Sequence, residues 1–316
     1  MTARLLITLT AIIGVLPFGV GAQQTSSQTG TPTFRSSTSV VSVTAVVRDR
    51  KGRFVRDLVQ KDFTVAESGR QKPILDFRAQ TDGPVKLALV FDISGSMRVA
   101  SRAVDARQAA RHLLGSLRPG DQAGLFSFDT RLQQVRGFTN NIDSLIQALE
   151  SVEPPYGQTS LYDAIAGTAR AVAEEQPGVQ GLIQRRAVVV LTDGVDTRSR
   201  LSAAEVTSIA STIDVPVYVL AVMSAVDDPR EDGRDDEGAA LRNLASWTGG
   251  ELFISTAPAH ANMAARRIVD ELRHQYVLAF EASSQPGWHP LEVRARNRDL
   301  VVRARAGYTA GGAVGP

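Results

Sequence analysis

Three unbroken apolar runs constrain this chain most: Leu87 to Phe91, Ala187 to Leu191, and Val215 to Val222 with Pro216 near its start. A strand with one face in water alternates polar and apolar residues. A run without alternation, bounded by turn residues, is a strand covered on both faces. Such strands belong to a parallel sheet, which needs crossover helices to cover it. The intervening segments supply them. Ala103, Ala106, Ala110, Leu113, Leu114 and Leu117 recur at helical spacing. Ser202 and Glu205 make a capping-box pattern ahead of Val206, Ile209 and Ile213. Ala239 to Trp247 reads as a helix stopped by Gly249-Gly250. The expected fold class is α/β: a doubly wound, mostly parallel, Rossmann-like sheet with helices on both faces. Its ligand belongs beyond the carboxyl ends of the strands.

Oxygen-bearing residues collect at those ends. The first run continues into Asp92-Ile93-Ser94-Gly95-Ser96, and the second ends Leu191-Thr192-Asp193-Gly194. Between them, Gly157-Gln158-Thr159-Ser160 opens a helix that continues Leu161-Tyr162-Asp163-Ala164-Ile165. Asp92, Ser94, Ser96, Thr159 and Asp193 thus put two carboxylates and three hydroxyls at one sheet edge. An all-oxygen, carboxylate-poor set suits a hard divalent cation, Mg²⁺ or its relatives Mn²⁺ and Ca²⁺. Two carboxylates neutralise one dication, and neutral hydroxyls leave it attractive to one more anionic oxygen from outside. The positive end of the helix after Ser96 sharpens that attraction. Taken alone, Asp92 to Ser96 is also consistent with a plain strand-to-helix turn capped by Ser96.

At these residues the chain resembles a von Willebrand factor type A domain. That family's metal-ion-dependent adhesion site reads Asp-x-Ser-x-Ser, then a Thr, then an Asp, and Asp92, Ser94, Ser96, Thr159 and Asp193 fill all five places in order. The resemblance implies hydroxyls that bind the metal directly or exchange with water, aspartates that often act through water, and a partner's carboxylate completing the octahedron. It runs from about Val85 to His274 in motif order and strand–helix rhythm. The flanks look like those of secreted bacterial proteins of the family. There a segment like Val47-x-Asp49-x-x-Gly52-x-x-Val55-x-x-Leu58-x-x-x-Asp62-Phe63 precedes the domain, and an Arg-rich hairpin ends the chain.

The implied organisation has six parts. Arg4, the apolar run Leu5 to Val20 and the small residues Val20-Gly21-Ala22 read as a secretory signal peptide, residues 1–22; an uncleaved anchor is the alternative. Residues 23–39, rich in Ser, Thr, Gln, Gly and Pro, read as a flexible linker. A β-rich flank follows at 40–82, with strands at Val40–Val47, Asp62–Ala66 and Ile74–Arg78. The A-type domain spans 83–274. Strands at 275–309 start with Tyr276–Phe280 and end in two alternating segments, Leu291-x-Val293-x-Ala295 and Leu300-x-Val302-x-Ala304, which read as a hairpin. Residues 310–316 read as a disordered tail. Neither flank alone is long enough for a stable core, so together they are expected to form one small β-sandwich.

Other features narrow the function. The chain has no Cys, which excludes disulfide scaffolds, Cys-ligated metals and thiol catalysis. A net charge of +2 gives no argument for nucleic acid. A phosphatase-like reading of Asp92-x-Ser94-Gly95-Ser96 needs a general acid where Ser94 stands and usually a later lysine, and none follows Lys86. No P-loop, nucleophile elbow or His-Glu-x-x-His motif is present. His112, His260, His274 and His289 lack metal-ligand spacing. The acidic stretch Asp227 to Glu237 reads as a solvated insertion; a carboxylate from it capping the metal in cis is the sharper alternative. Asp163 and Asp196 read as helix-start or supporting carboxylates, Arg98 as solvated, and Arg294, Arg296, Arg303 and Arg305 as the solvent face of the last hairpin. The expectation is a secreted or periplasmic, non-enzymatic, metal-dependent module that binds a partner protein's Asp or Glu. A Mg²⁺-dependent hydrolase and an envelope-assembly protein with a purely stabilising metal are the alternatives.

Overall fold

The computed structural model describes residues 40–80, 83–152, 156–174, 185–212, 214–223 and 234–310. The expected signal peptide (1–22), linker (23–39), nearly all of the tail (310–316, of which only Ala310 is described) and the acidic stretch up to Gly233 lie outside them. Four strands come first: β1 (Val40–Asp49), β2 (Phe63–Glu67), β3 (Arg70–Lys72) and β4 (Ile74–Gln80). The central region runs β5 (Val85–Asp92), α1 (Arg102–Gly115), β6 (Gln122–Phe128), β7 (Leu132–Thr139), α2 (Ile142–Glu150), α3 (Leu161–Glu174), β8 (Arg185–Thr192), α4 (Ala203–Thr212), β9 (Val217–Val222), α5 (Arg234–Trp247), β10 (Leu252–Ser255) and α6 (Pro258–Arg273). The chain closes with β11 (Gln275–Glu281), β12 (Gly287–Ala295), β13 (Leu300–Ala304) and β14 (Gly307–Ala310).

The central strands form a sheet in the order β10-β9-β8-β5-β6-β7, parallel except for β7. All three apolar runs lie in adjacent strands of this sheet, and β5, β8 and β9 are buried almost throughout, as absence of alternation requires. α1, α2 and α6 pack on one face; α3, α4 and α5 cover the other. This is the doubly wound α/β fold. Ser202 and Glu205 make the capping box ahead of α4: Ser202 N donates to the Glu205 carboxylate (2.8 Å), and Glu205 N donates to Ser202 Oγ (3.3 Å). α5 starts at Arg234, so the end of the acidic stretch is helix rather than loop. It ends at Trp247, and the chain then passes Gly249-Gly250, where a Cβ on Gly250 would run into the Val217 carbonyl; only glycine lets β10 enter beside β9.

The flanks make two antiparallel sheets, β13-β1-β11-β4 and β14-β12-β2-β3, enclosing one core that includes Val43, Phe63, Val65, Tyr276, Leu278 and Phe280. Gln275 at the start of β11 pairs with Gln80 at the end of β4, so the chain leaves and re-enters the sandwich at one point. The two alternating segments at the C-terminal end do not form the expected hairpin. β12 pairs with β14 and β2, whereas β13 pairs with β1 in the opposite sheet. Alternation reports that a strand faces a core, and both strands do; it carries no information about which neighbour shares its hydrogen bonds. The Asn297 turn, with Asp299 N donating to Asn297 Oδ1 (2.9 Å), carries the chain across from one sheet to the other.

That crossover also changes the last arginines. Arg294 stays exposed, paired with Glu292, and Arg296 donates to the Lys61 carbonyl (2.6 Å). Arg303 and Arg305 instead turn inward, against the expected solvent face: Arg303 meets α6, and Arg305, just past β13, meets α4 and β1. Glu271 on α6 is wholly buried and accepts from Arg48 of β1 and Arg303 of β13, while Arg303 also pairs with Glu251. Arg305, 6% exposed, donates to the carbonyls of Ser211 and Ser42, and Ala306 N donates to the Trp247 carbonyl (2.8 Å). Glu271 is therefore the anionic centre of the sandwich–sheet seam. Replacing it with Ala leaves two guanidinium groups without their shared partner, so Glu271→Ala is expected to cost about 3 kcal/mol of unfolding free energy. Urea unfolding measures this, and a loss below about 1 kcal/mol would contradict the assignment.

Candidate metal centre

The carboxyl ends of β5 and β8 and the start of α3 meet at one rim of the central sheet. β5 delivers Asp92 there with no solvent exposure. Its Oδ1 accepts from Ser94 N (2.8 Å) and its Oδ2 from the Thr192 hydroxyl (2.5 Å). Thr192 Oγ1 in turn accepts from Gly194 N (3.1 Å), which shapes the turn carrying Asp193. Ser94 is extended and caps a short 3-10 turn, Gly95–Arg98, so Ser94 and Ser96 present their hydroxyls side by side, 3.0 Å apart.

Backbone bonds stitch the three loops together. Gly95 N donates to the Gly157 carbonyl (2.8 Å) and Tyr156 N to the Ile93 carbonyl (2.7 Å). A Cβ on Gly95 would press within 3.0 Å of that Gly157 oxygen, so the close approach needs glycine. On the other side, Thr197 N and Arg198 N donate to the Thr159 carbonyl (3.0 and 2.8 Å). Thr159, 2% exposed, is thus set between the Asp92 loop and the Asp193 loop. Asp196 and Asp163 serve as supports. Asp196 Oδ1 accepts from Leu161 N (2.7 Å) and caps α3, and Asp163 Oδ1 accepts from Leu201 N (2.9 Å).

The rim holds two buried carboxylates, Asp92 and Asp193. Burial, helped by the nearby Asp193 charge, pushes the Asp92 carboxyl up to about 7. Asp193 is neutralised on one side by Arg102, the first residue of α1, whose Nη1 donates to Asp193 Oδ2 (2.8 Å) and to the Ser96 carbonyl (2.9 Å). Among the described residues, no ion pair reaches Asp92. A buried carboxylate without a counter-charge, ringed by hydroxyl oxygens and lacking nitrogen or sulfur donors, fits a hard dication. Arg98 is exposed, as expected. Two residues of the rim escaped the sequence reading. Thr192 is visible only as the neighbour of Asp193, and Arg102 only as one of many arginines on a helix.

Residues 87–195 match the sequence profile of the von Willebrand factor type A domain. The chain carries a von Willebrand factor type A domain. A solved von Willebrand factor type A structure from Catenulispora acidiphila superposes with a TM-score of 0.50 at 12% identity, covering 88% of this chain and 76% of that one. It shares the fold. BatB from Bacteroides thetaiotaomicron aligns at TM-score 0.47 and 20% identity, over 60% of this chain and 98% of its own. The pilus adhesin SpaC from Lactobacillus rhamnosus GG aligns at TM-score 0.48 and 11% identity, over 83% and 49%. No curated protein matches the sequence.

Thr192→Val removes the one hydroxyl that both donates to Asp92 and accepts from Gly194. With one partner lost inside a buried network, the expected cost is about 2 kcal/mol of unfolding free energy. Denaturant titration of the metal-free protein checks it; an unchanged midpoint would contradict the network.

Proposed function

We propose that this is an exported binding module that grips an acidic residue of a partner protein through one divalent cation, Mg²⁺ or its relatives Mn²⁺ and Ca²⁺. The observation that carries the reading is Asp92, fully buried, with neutral donors on both oxygens and no cationic partner among the described residues. Asp92 and Asp193 supply the charge of the site, and Ser94, Ser96 and Thr159 its neutral oxygens. Bound there, the cation would supply an open coordination position for an anionic oxygen from outside. The chain's own contribution is preorganisation. The bonds joining the Ile93, Gly157 and Thr159 backbones hold the hydroxyls in position, so little ordering remains to oppose binding.

Binding is favoured over catalysis by what stands beside that carboxylate. A hydrolase built on Asp92 needs a general acid where Ser94 stands and usually a later lysine, and none follows Lys86. Export rests on the signal-peptide pattern of residues 1–22. No helix of the described residues is long and apolar enough to cross a membrane.

Mn²⁺ titration followed by electron paramagnetic resonance, with capture of Asp- and Glu-containing peptides in Mg²⁺ or EDTA, tests the reading. Wild type is expected to bind one Mn²⁺ per chain, Asp92→Ala to weaken it about a hundredfold, and EDTA to abolish peptide capture. Unimpaired Mn²⁺ binding by Asp92→Ala would refute the site. Metal binding that raises Tm while peptide capture ignores EDTA would favour the purely stabilising alternative.

A further inference from the structure

We propose that Arg102 is a built-in competitor of the cation, weakening the hold of the site on a bare metal ion and coupling metal binding to arrival of the partner's carboxylate. This rests on the metal reading above and adds the regulation of that same site.

Three observations point to the guanidinium. Arg102 is 3% exposed, yet it sits in the first turn of α1, where a positive charge opposes the helix dipole. Burial and the dipole both disfavour a cation at this place, and both are offset by Asp193. Its Nη1 bridges two of the three rim loops, donating to Asp193 Oδ2 (2.8 Å) and to the Ser96 carbonyl (2.9 Å). Asp193 Oδ1 receives only a long contact from Val195 N (3.4 Å), which leaves that oxygen for an ion or its water. Arg102 and the metal therefore share one carboxylate.

Charge counting gives the consequence. Counting Asp92, Asp193 and Arg102 alone, with both carboxylates ionised as a bound metal requires, two negative charges and one positive give an arriving dication a net single negative charge. With the ion seated the rim is singly positive, and one incoming carboxylate returns it to neutrality. Without Arg102 the same steps run from two negative charges, through neutrality, to a negative rim. The guanidinium thus works against the first step and for the second. Because coupling is reciprocal, an acid that binds the loaded rim must raise metal affinity by the same factor.

The test compares Mn²⁺ affinity, with and without saturating glutarate as the carboxylate probe, in wild type, Arg102→Gln and Arg102→Lys. Wild type is expected to bind Mn²⁺ more tightly in glutarate. Arg102→Gln, which keeps a polar side chain but loses the charge, is expected to bind Mn²⁺ alone about tenfold more tightly and to lose most of the glutarate effect. Arg102→Lys keeps the charge and is expected to behave like wild type. Unchanged or weaker Mn²⁺ binding by Arg102→Gln would overturn the proposal, as would equal losses in both variants, the signature of a residue that only orients Asp193. Should Arg102→Gln fail to fold, the wild-type comparison decides: no tightening by glutarate overturns the coupling. Failure of this inference leaves wild-type Mn²⁺ binding intact and lost in Asp92→Ala, whereas failure of the metal reading removes that binding altogether.

Discussion

β5 is sealed on both faces by helices and ends in a carboxylate that water does not reach. The rest of the rim answers to that one desolvated charge. An isolated ionised carboxylate is expensive to bury, and the fold reduces the cost with a backbone N–H on one oxygen and the Thr192 hydroxyl on the other. Neutral donors soften the burial without cancelling the charge, and Asp193 close by makes it harder to keep. Two serine hydroxyls 3.0 Å apart, and a threonine fixed by its own backbone, are the neutral oxygens of the proposed cation site. Strand burial, loop stitching and site chemistry are parts of one electrostatic problem.

The β-sandwich is tied to this scaffold by charge as well as by chain connectivity. Glu271 gathers arginines from β1 and β13, and Arg305 reaches carbonyls on both sides of the seam. The sandwich is built from chain segments far apart in sequence, and β4 and β11, which flank the central region, pair directly. This seam involves residues of β1, β13, α4, α5 and α6.

Much of this is legible in the sequence, for a physical reason. Burial on both faces forces continuous apolar runs, and Leu87 to Phe91, Ala187 to Leu191 and Val215 to Val222 stood out accordingly. The oxygen-bearing residues stood out because they follow those runs directly. What was not legible depends on partners distant in sequence. β12 and β13 each showed the right alternation, but their membership of opposite sheets is set by β1 and β2. Arg303 and Arg305 share the polar phase of a half-buried strand with Arg294, and only the neighbouring helices α4, α5 and α6 convert that phase into a buried seam. Arg102 is the sharpest instance, since its meaning lies in Asp193, which a whole strand–helix succession separates from it.

The central claim is that the Asp92 rim binds a dication, and anomalous diffraction from crystals grown with Mn²⁺ tests it most directly. The account predicts an anomalous peak bounded by Asp92, Ser94, Ser96, Thr159 and Asp193, with a water or a foreign oxygen at its outer position. An empty rim at saturating Mn²⁺, or a peak held only by other residues, would contradict it.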